Sequence, residues 1–254
     1  MSELTEPVEA EPIAPLTLVC PADPLKTAIA SLRALSDDAV IIFTDEGLTS
    51  KVVDSAHVCL LEVSIPSKTF ISHSIPVETE IAVPLDNLES ALKIAGKKDN
   101  ITLSLTEENT YLTVEIEDIV KSVRLLDSSL VKNPPAPIIP FDLSYTLDAG
   151  ALKKAITASK TVGDVLTLHY DGSTTTIKVD SKMERVEALL ETSNTTIASE
   201  VSITSLYTVK YLTQMVKKVG AEIIISWGDN KPLKLFSDDG FLTLNWLLAP
   251  RQSS

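Results

Sequence analysis

Three histidines, two cysteines and one Asp-Ser-x-His run are the residues here whose types could support covalent or metal chemistry. Asp54, Ser55 and His57 lie within four positions of one another, an order that suggests a nucleophile and its base. A triad, however, needs hydroxyl, imidazole and carboxylate to converge in space, and adjacent residues of extended chain point to opposite faces. The run therefore reads as a strand end and its loop. His57, His73 and His169 share no metal-ligand spacing with each other or with Cys20 and Cys59. The eight glycines form neither a GxGxxG nor a P-loop, and no carboxylate pair stands out from the acidic loops. The expectation is a chain without catalytic residues, metal or cofactor.

The residues that do form a pattern are the cations. Four segments, 24–36, 85–98, 149–161 and 205–219, hold eleven of the 22 basic residues and two of the 35 acidic ones. They carry a net +9 in a chain of net −13, which leaves −22 for everything else. Lys26 and Arg33, Lys153 and Lys160, and Lys210 and Lys217 are each seven apart, and Lys93 and Lys97 four apart. On a helix such pairs share a face. With Lys154 and Lys218 they make ten candidates for contact with a phosphate backbone. Neither aromatics nor glycine-rich loops accompany them, so base reading and stacking are not expected.

The elements that must position these cations follow from hydrophobic period. Leu25, Ala28, Ile29, Leu32 and Leu35 form one helical stripe, with Asp23 as candidate cap and Pro24 at the first helical position. Leu85, Leu88, Leu92 and Ala95 form a second, closed by Gly96. Leu152, Ala155, Ile156 and Ser159 form a third, and Val209, Leu212, Val216 and Val219 a fourth, closed by Gly220. The four segments begin about 60 residues apart. Between them run β-branched stretches with turn signals, such as ITLSL (residues 101–105), TYLTVEIE (110–117), DVLTLHY (164–170) and EIIISW (222–227). The unit is one helix plus several antiparallel strands, used four times.

A longer repeat overlies this one. LKTAIASLRALSDD (residues 25–38) resembles LKKAITASKTVGD (152–164), half a chain later, and KVVDS (51–55) resembles KVDSK (178–182). Between the halves lies SSLVKNPPAPIIPF (128–141), with four prolines in seven residues, a stiff connector. The expected organisation is α+β: an acidic tail over 1–15, two similar domains over 16–127 and 142–251 joined by the connector 128–141, and a short tail over 252–254. Residues 1–15 have neither a basic start nor an apolar stretch, so no signal peptide is expected. No run of 18 apolar residues suggests a membrane span, and two cysteines suit a reducing compartment.

Three segments, DSAHVCLLEV (54–63), LDNLESALKIAGKKDNITLSL (85–105) and LLAPR (247–251), are together similar to the sliding clamps of the proliferating cell nuclear antigen family. The resemblance runs from about Leu16 to Arg251, and the connector and short C-terminus look archaeal. It implies the DNA clamp fold, with three subunits closed head to tail, helices lining a hole and sheets outside. Double-stranded DNA would pass the hole without sequence preference. The resemblance puts Lys26, Arg33, Lys93, Lys154, Lys210 and Lys217 on the inner wall. Thr27 and Thr157 depart from it, standing where relatives often carry cations.

Two further surfaces are implied by the resemblance. Subunits would join through edge strands, here IVKSVRLLD (119–127), with Lys121 and Arg124, and MERVEALLE (183–191), with Glu184, Glu187 and Glu191. Opposite charges on strands that pair between copies favour head-to-tail closure. A groove for short partner peptides falls on Val53, His57, Ile138, Ile139, Pro232, Leu247, Ala249 and Pro250. The partners implied are DNA polymerase, a clamp loader of the replication factor C type, DNA ligase and flap endonuclease, in an archaeal cytoplasm or, in a eukaryote, the nucleus. Two other readings stay open: a subunit of a heterotrimeric or checkpoint-type clamp, and a protein-interaction scaffold without DNA.

Overall fold

The structure, a computed structural model, describes residues 16–106, 110–197 and 202–252. The expected acidic tail 1–15 lies outside them. The first half of the chain runs β1 (Thr17–Pro21), α1 (Ala22–Arg33), β2 (Asp38–Thr44), β3 (Gly47–Val53), β4 (Cys59–Pro66), β5 (Ser72–Ser74), β6 (Thr79–Pro84), α2 (Leu85–Leu92), β7 (Asn100–Leu105), β8 (Tyr111–Ile116) and β9 (Ile119–Arg124). The second half repeats the order as β10 (Leu143–Asp148), α3 (Ala149–Ser159), β11 (Val165–Tyr170), β12 (Thr175–Asp180), β13 (Arg185–Leu190), β14 (Thr192–Ile197), β15 (Ile203–Thr208), α4 (Val209–Met215), β16 (Glu222–Trp227), β17 (Leu233–Asp238) and β18 (Thr243–Leu248). Each half is thus strand, helix, strands, helix, strands. The expected unit of one helix plus antiparallel strands occurs four times.

Among the described residues three antiparallel sheets result. One has the order β5-β1-β7-β8-β9 and another β13-β12-β11-β15. The third, β14-β10-β16-β17-β18-β4-β3-β2-β6, contains strands of both halves. Its seam is the β18–β4 ladder, from Thr243 opposite Ser64 to Leu248 opposite Cys59. Along β4 burial alternates strictly, with Cys59, Leu61, Val63 and Ile65 inside, the period-2 pattern of a strand with one face on a core. The helices bury Leu25, Ala28, Ile29 and Leu32 of α1 and Leu85, Leu88, Ala91 and Leu92 of α2 against the same core. Burying such a side chain stabilises by roughly 1.5–3 kcal/mol relative to leaving it in water.

Helix α1 packs on α2, and α3 on α4. Two clefts are lined jointly by α1 and by α4 with the residues that follow it. Packing and shared clefts therefore link the helices in a row, in the order α3-α4-α1-α2.

Several boundaries differ from the sequence expectation. Helix α1 starts at Ala22, before Asp23, which lies in the first turn and caps nothing. Pro24 is its third residue, a position whose N–H has no intrahelical acceptor to lose. Helix α4 starts only at Val209. Residues 205–208 end β15 instead, because Ser205 and Tyr207 are buried with period 2 and the strand pairs with β11. The expected cap geometry does occur in α3, where Asp148 Oδ1 accepts the Ala151 N–H at 2.7 Å.

Candidate functional site

The ten candidate cations fall on this row of helices or on the turns that end them, but not in equal states. Lys97, Lys153, Lys154, Lys160, Lys210, Lys217 and Lys218 are exposed. Among the described residues none of these seven has a carboxylate within ion-pair distance. Lys93 is exposed with Glu89 3.8 Å away. Arg33 is held by two carboxylates, Asp37 at 2.9 Å and Asp86. The Lys26 ammonium donates to the Ala95 carbonyl just past α2. The sequence grouped Arg33 and Lys26 with the free cations. Side-by-side packing of α1 and α2 puts Asp86 and the Ala95 carbonyl beyond the end of α2 within their reach.

The seven-residue spacing of Lys210 and Lys217 also does not place both on one helical face, since α4 ends at Met215. Lys97 likewise follows the end of α2. What gathers these cations is tertiary packing. Arg33 on α1 lines a cleft of about 310 Å3 with Lys217 and Lys218, from beyond α4.

The two strands expected at subunit contacts are both sheet edges: β9 closes the five-stranded sheet and β13 the four-stranded one. Lys121 reaches Ser90 Oγ at 3.2 Å, and Arg124 is exposed. On β13 and its flanks Glu184 and Glu191 are exposed, but Glu187 already pairs with Lys178 of the neighbouring strand at 3.1 Å. The sequence reading passed over the apolar residues beside these charges. Ile119 and Val120 on β9, and Met183 and Leu189 on or beside β13, are all largely exposed. Bulky apolar side chains on an open edge were the signal that could have found them.

A separate concavity of about 370 Å3 brings together Val53, His57, Ile139, Pro232, Leu247 and Ala249. Six of the eight predicted groove residues therefore share one cleft, floored by the β18–β4 seam and roofed by Pro134, Pro135 and Pro137 of the connector. Ile138 does not join them. It is fully exposed, because the extended connector presents neighbouring residues in opposite directions. Pro250 is half-buried outside the lining. Val58, Cys59 and Leu60 line the cleft and were missed, although they lie within the segment that carried the resemblance.

The turn over residues 54–59 shapes one wall. Asp54 is 7% exposed, and its Oδ1 accepts the N–H groups of Val58 and Cys59, both at 2.7 Å. Its Oδ2 accepts the Tyr211 hydroxyl at 2.5 Å. Burial pushes the Asp54 pKa up, but the bonds from Tyr211, Cys59, Val58 and Ala56 outweigh it and hold the carboxyl below its ordinary value. The same bond, with burial, pushes Tyr211 up to about 12. Asp54 is thus an anion that organises backbone. Ser55 and His57 flank it, but the carboxylate is spent on backbone N–H groups and Tyr211 and makes no bond to the imidazole. Among the described residues no group of three or more His, Cys, Asp or Glu could hold a metal ion, and no helix is long and apolar enough to cross a membrane.

Residues 20–130 match the family model described as the N-terminal domain of proliferating cell nuclear antigen. The fold superposes on Archaeoglobus fulgidus PCNA, in a solved structure with the C-terminal region of FEN-1 bound, with a TM-score of 0.87 and 27% identity over 94% of this chain and 99% of that one. Over nearly its whole length the chain is similar to DNA sliding clamps of the proliferating cell nuclear antigen family. It is also similar to the DNA polymerase sliding clamp of Nitrosopumilus maritimus, 28% identical over 247 residues that cover 91% of this chain and 96% of that protein. PCNA from Thermococcus kodakaraensis matches it with a TM-score of 0.84 and 26% identity over 93% of this chain and all of the other. The function of the chain is that of a DNA polymerase sliding clamp, and its described residues form four α-helices and three antiparallel sheets.

Proposed function

We propose that three copies of this clamp close head to tail around duplex DNA, with α1 to α4 of each copy lining the hole. In this reading residues 16–127 and 142–251 are the two clamp domains and residues 128–141 the connector between them. The observation that carries it is the row of four helices whose Lys153, Lys154, Lys160, Lys210, Lys217 and Lys218 are exposed and, among the described residues, without an ion-pair partner in an otherwise acidic chain. Unpaired lysines at a surface attract phosphates through charge alone. Contact of that kind is blind to sequence and weak enough for sliding. Lys26 and Arg33 contribute less than their positions suggest, since a carbonyl and two carboxylates already engage them. Open, apolar edges on β9 and β13 supply the subunit contact, with Lys121 and Arg124 facing Glu184 and Glu191 of the next copy.

The cleft beside the connector receives a short peptide of a partner enzyme. Flap endonuclease is the best supported, because a FEN-1 segment is bound to the A. fulgidus relative. DNA polymerase, DNA ligase and a clamp loader would use the same cleft. The chain itself contributes no catalytic step, and it works where the DNA is, in the cytoplasm of an archaeal cell.

Replacing Lys154, Lys210 and Lys217 together by Glu tests the DNA path. The variant should still form the assembly seen by light scattering, yet lose most stimulation of a polymerase on a primed circle. Reversing about three phosphate contacts per copy is expected to cost well over tenfold at moderate salt. Stimulation equal to that of the unmodified clamp would favour a scaffold that DNA never threads.

A further inference from the structure

Asp54 sits between the two surfaces just assigned. Its Oδ1 closes the turn whose residues Val58 and Cys59 line the peptide cleft. Its Oδ2 takes the Tyr211 hydroxyl, which comes from α4, 157 positions along the chain and in the other half. Tyr211 lines no part of the cleft. Its neighbour Lys210 is one of the exposed cations of the helix row.

The turn needs external support. His57 is held at φ 55, the left-handed region that a residue with a Cβ adopts only when its surroundings enforce it. The support reaches both walls of the cleft. The Val58 carbonyl accepts the Ala249 N–H at 2.8 Å, and the Arg251 N–H donates to Leu206 at 2.7 Å, two residues before Thr208, which precedes α4. A loosened turn must be ordered again each time a peptide binds, and that ordering weakens affinity.

We propose that Tyr211 is a positioning residue for partner binding: through Asp54 it holds the 54–59 turn in the shape that receives a partner peptide, and so ties the peptide cleft to α4. The inference rests on the cleft being the partner site. Since energetic coupling between two places is reciprocal, a seated peptide restrains α4 as much as α4 restrains the turn.

The test is a double-mutant cycle on the whole clamp. Its probe is a synthetic peptide of the C-terminal region of an archaeal flap endonuclease, titrated by calorimetry. Tyr211→Phe keeps the packed ring and removes only the hydroxyl, and should weaken the peptide about three- to tenfold, the range for loss of one hydrogen bond. Hydrogen exchange at the Val58 and Cys59 amides should quicken in the same variant. In an Asp54→Asn background, where the side-chain oxygen still serves those two amides but an NH2 group faces the tyrosine, the effect of Tyr211→Phe should shrink towards nothing. A Tyr211→Phe clamp that binds like the unmodified one, or that loses the same factor in both backgrounds, overturns the proposal while leaving the cleft assignment standing. No binding by the unmodified clamp overturns the assignment and the inference together.

Discussion

Asp54 and Ile138 show from opposite sides how a residue's role depends on neighbours distant in sequence. Asp54 stands two residues before Ala56 and three before His57, and spacing alone put it among catalytic candidates. The structure spends both its oxygens on N–H groups of its own turn and on a tyrosine from the other half. Ile138 and Ile139 are chemically identical and adjacent, so composition could not choose between them. In the connector Ile138 is fully exposed and Ile139 lines the cleft. Ile139→Ala should therefore weaken a partner peptide by about 1–2 kcal/mol, roughly five- to thirtyfold. Ile138→Ala should change the affinity by less than about twofold. Calorimetric titration of each single variant separates them, and equal losses would mean that the connector shifts on binding.

Helices and strands were legible to the extent that their own period marked them. The stripes of α1, α2 and α3 have few rival readings, and the structure keeps those helices to within a few residues of the expected ends. Residues 205–208 were not legible, because a β-branched and aromatic stretch leading into a helix can belong to either element. Pairing with β11 decided it. The charge state of α1 was hidden in the same way, since Asp86 is 53 positions from Arg33. The edges β9 and β13 were implied by the family resemblance and supported by their charges, while Ile119, Val120 and Leu189, exposed beside them, went unread. If these strands join neighbouring copies, Lys121→Glu with Arg124→Glu places like charges across the contact and should leave monomers in light scattering at micromolar concentration. Adding Glu184→Lys and Glu191→Lys to the same chain reverses both sides and should restore much of the assembly. An unchanged mass in the first variant would move the contact elsewhere.

At the scale of the whole molecule the account depends on uneven charge. A chain of net −13 would repel DNA if its charges were spread evenly. Here most of the acid lies on sheets and loops, while the row α3-α4-α1-α2 and its end turns carry seven exposed lysines with no ion-pair partner among the described residues. The repeat legible in the sequence pointed to four similar helix-plus-strands units, and the described residues form four such units. The single nine-stranded sheet joining both halves was not foreseeable, since neither β4 nor β18 names its partner. The central claim is that retention on DNA is topological rather than adhesive. Its most direct measurement loads the clamp, with a clamp loader and ATP, onto a singly nicked circular duplex, raises the salt until phosphate contacts are screened, and then cuts the circle once with a restriction enzyme. A closed ring predicts that the clamp stays with the circle through the salt step and leaves within minutes of the cut. Loss at the salt step, or persistence on the linear product with free ends, would contradict it.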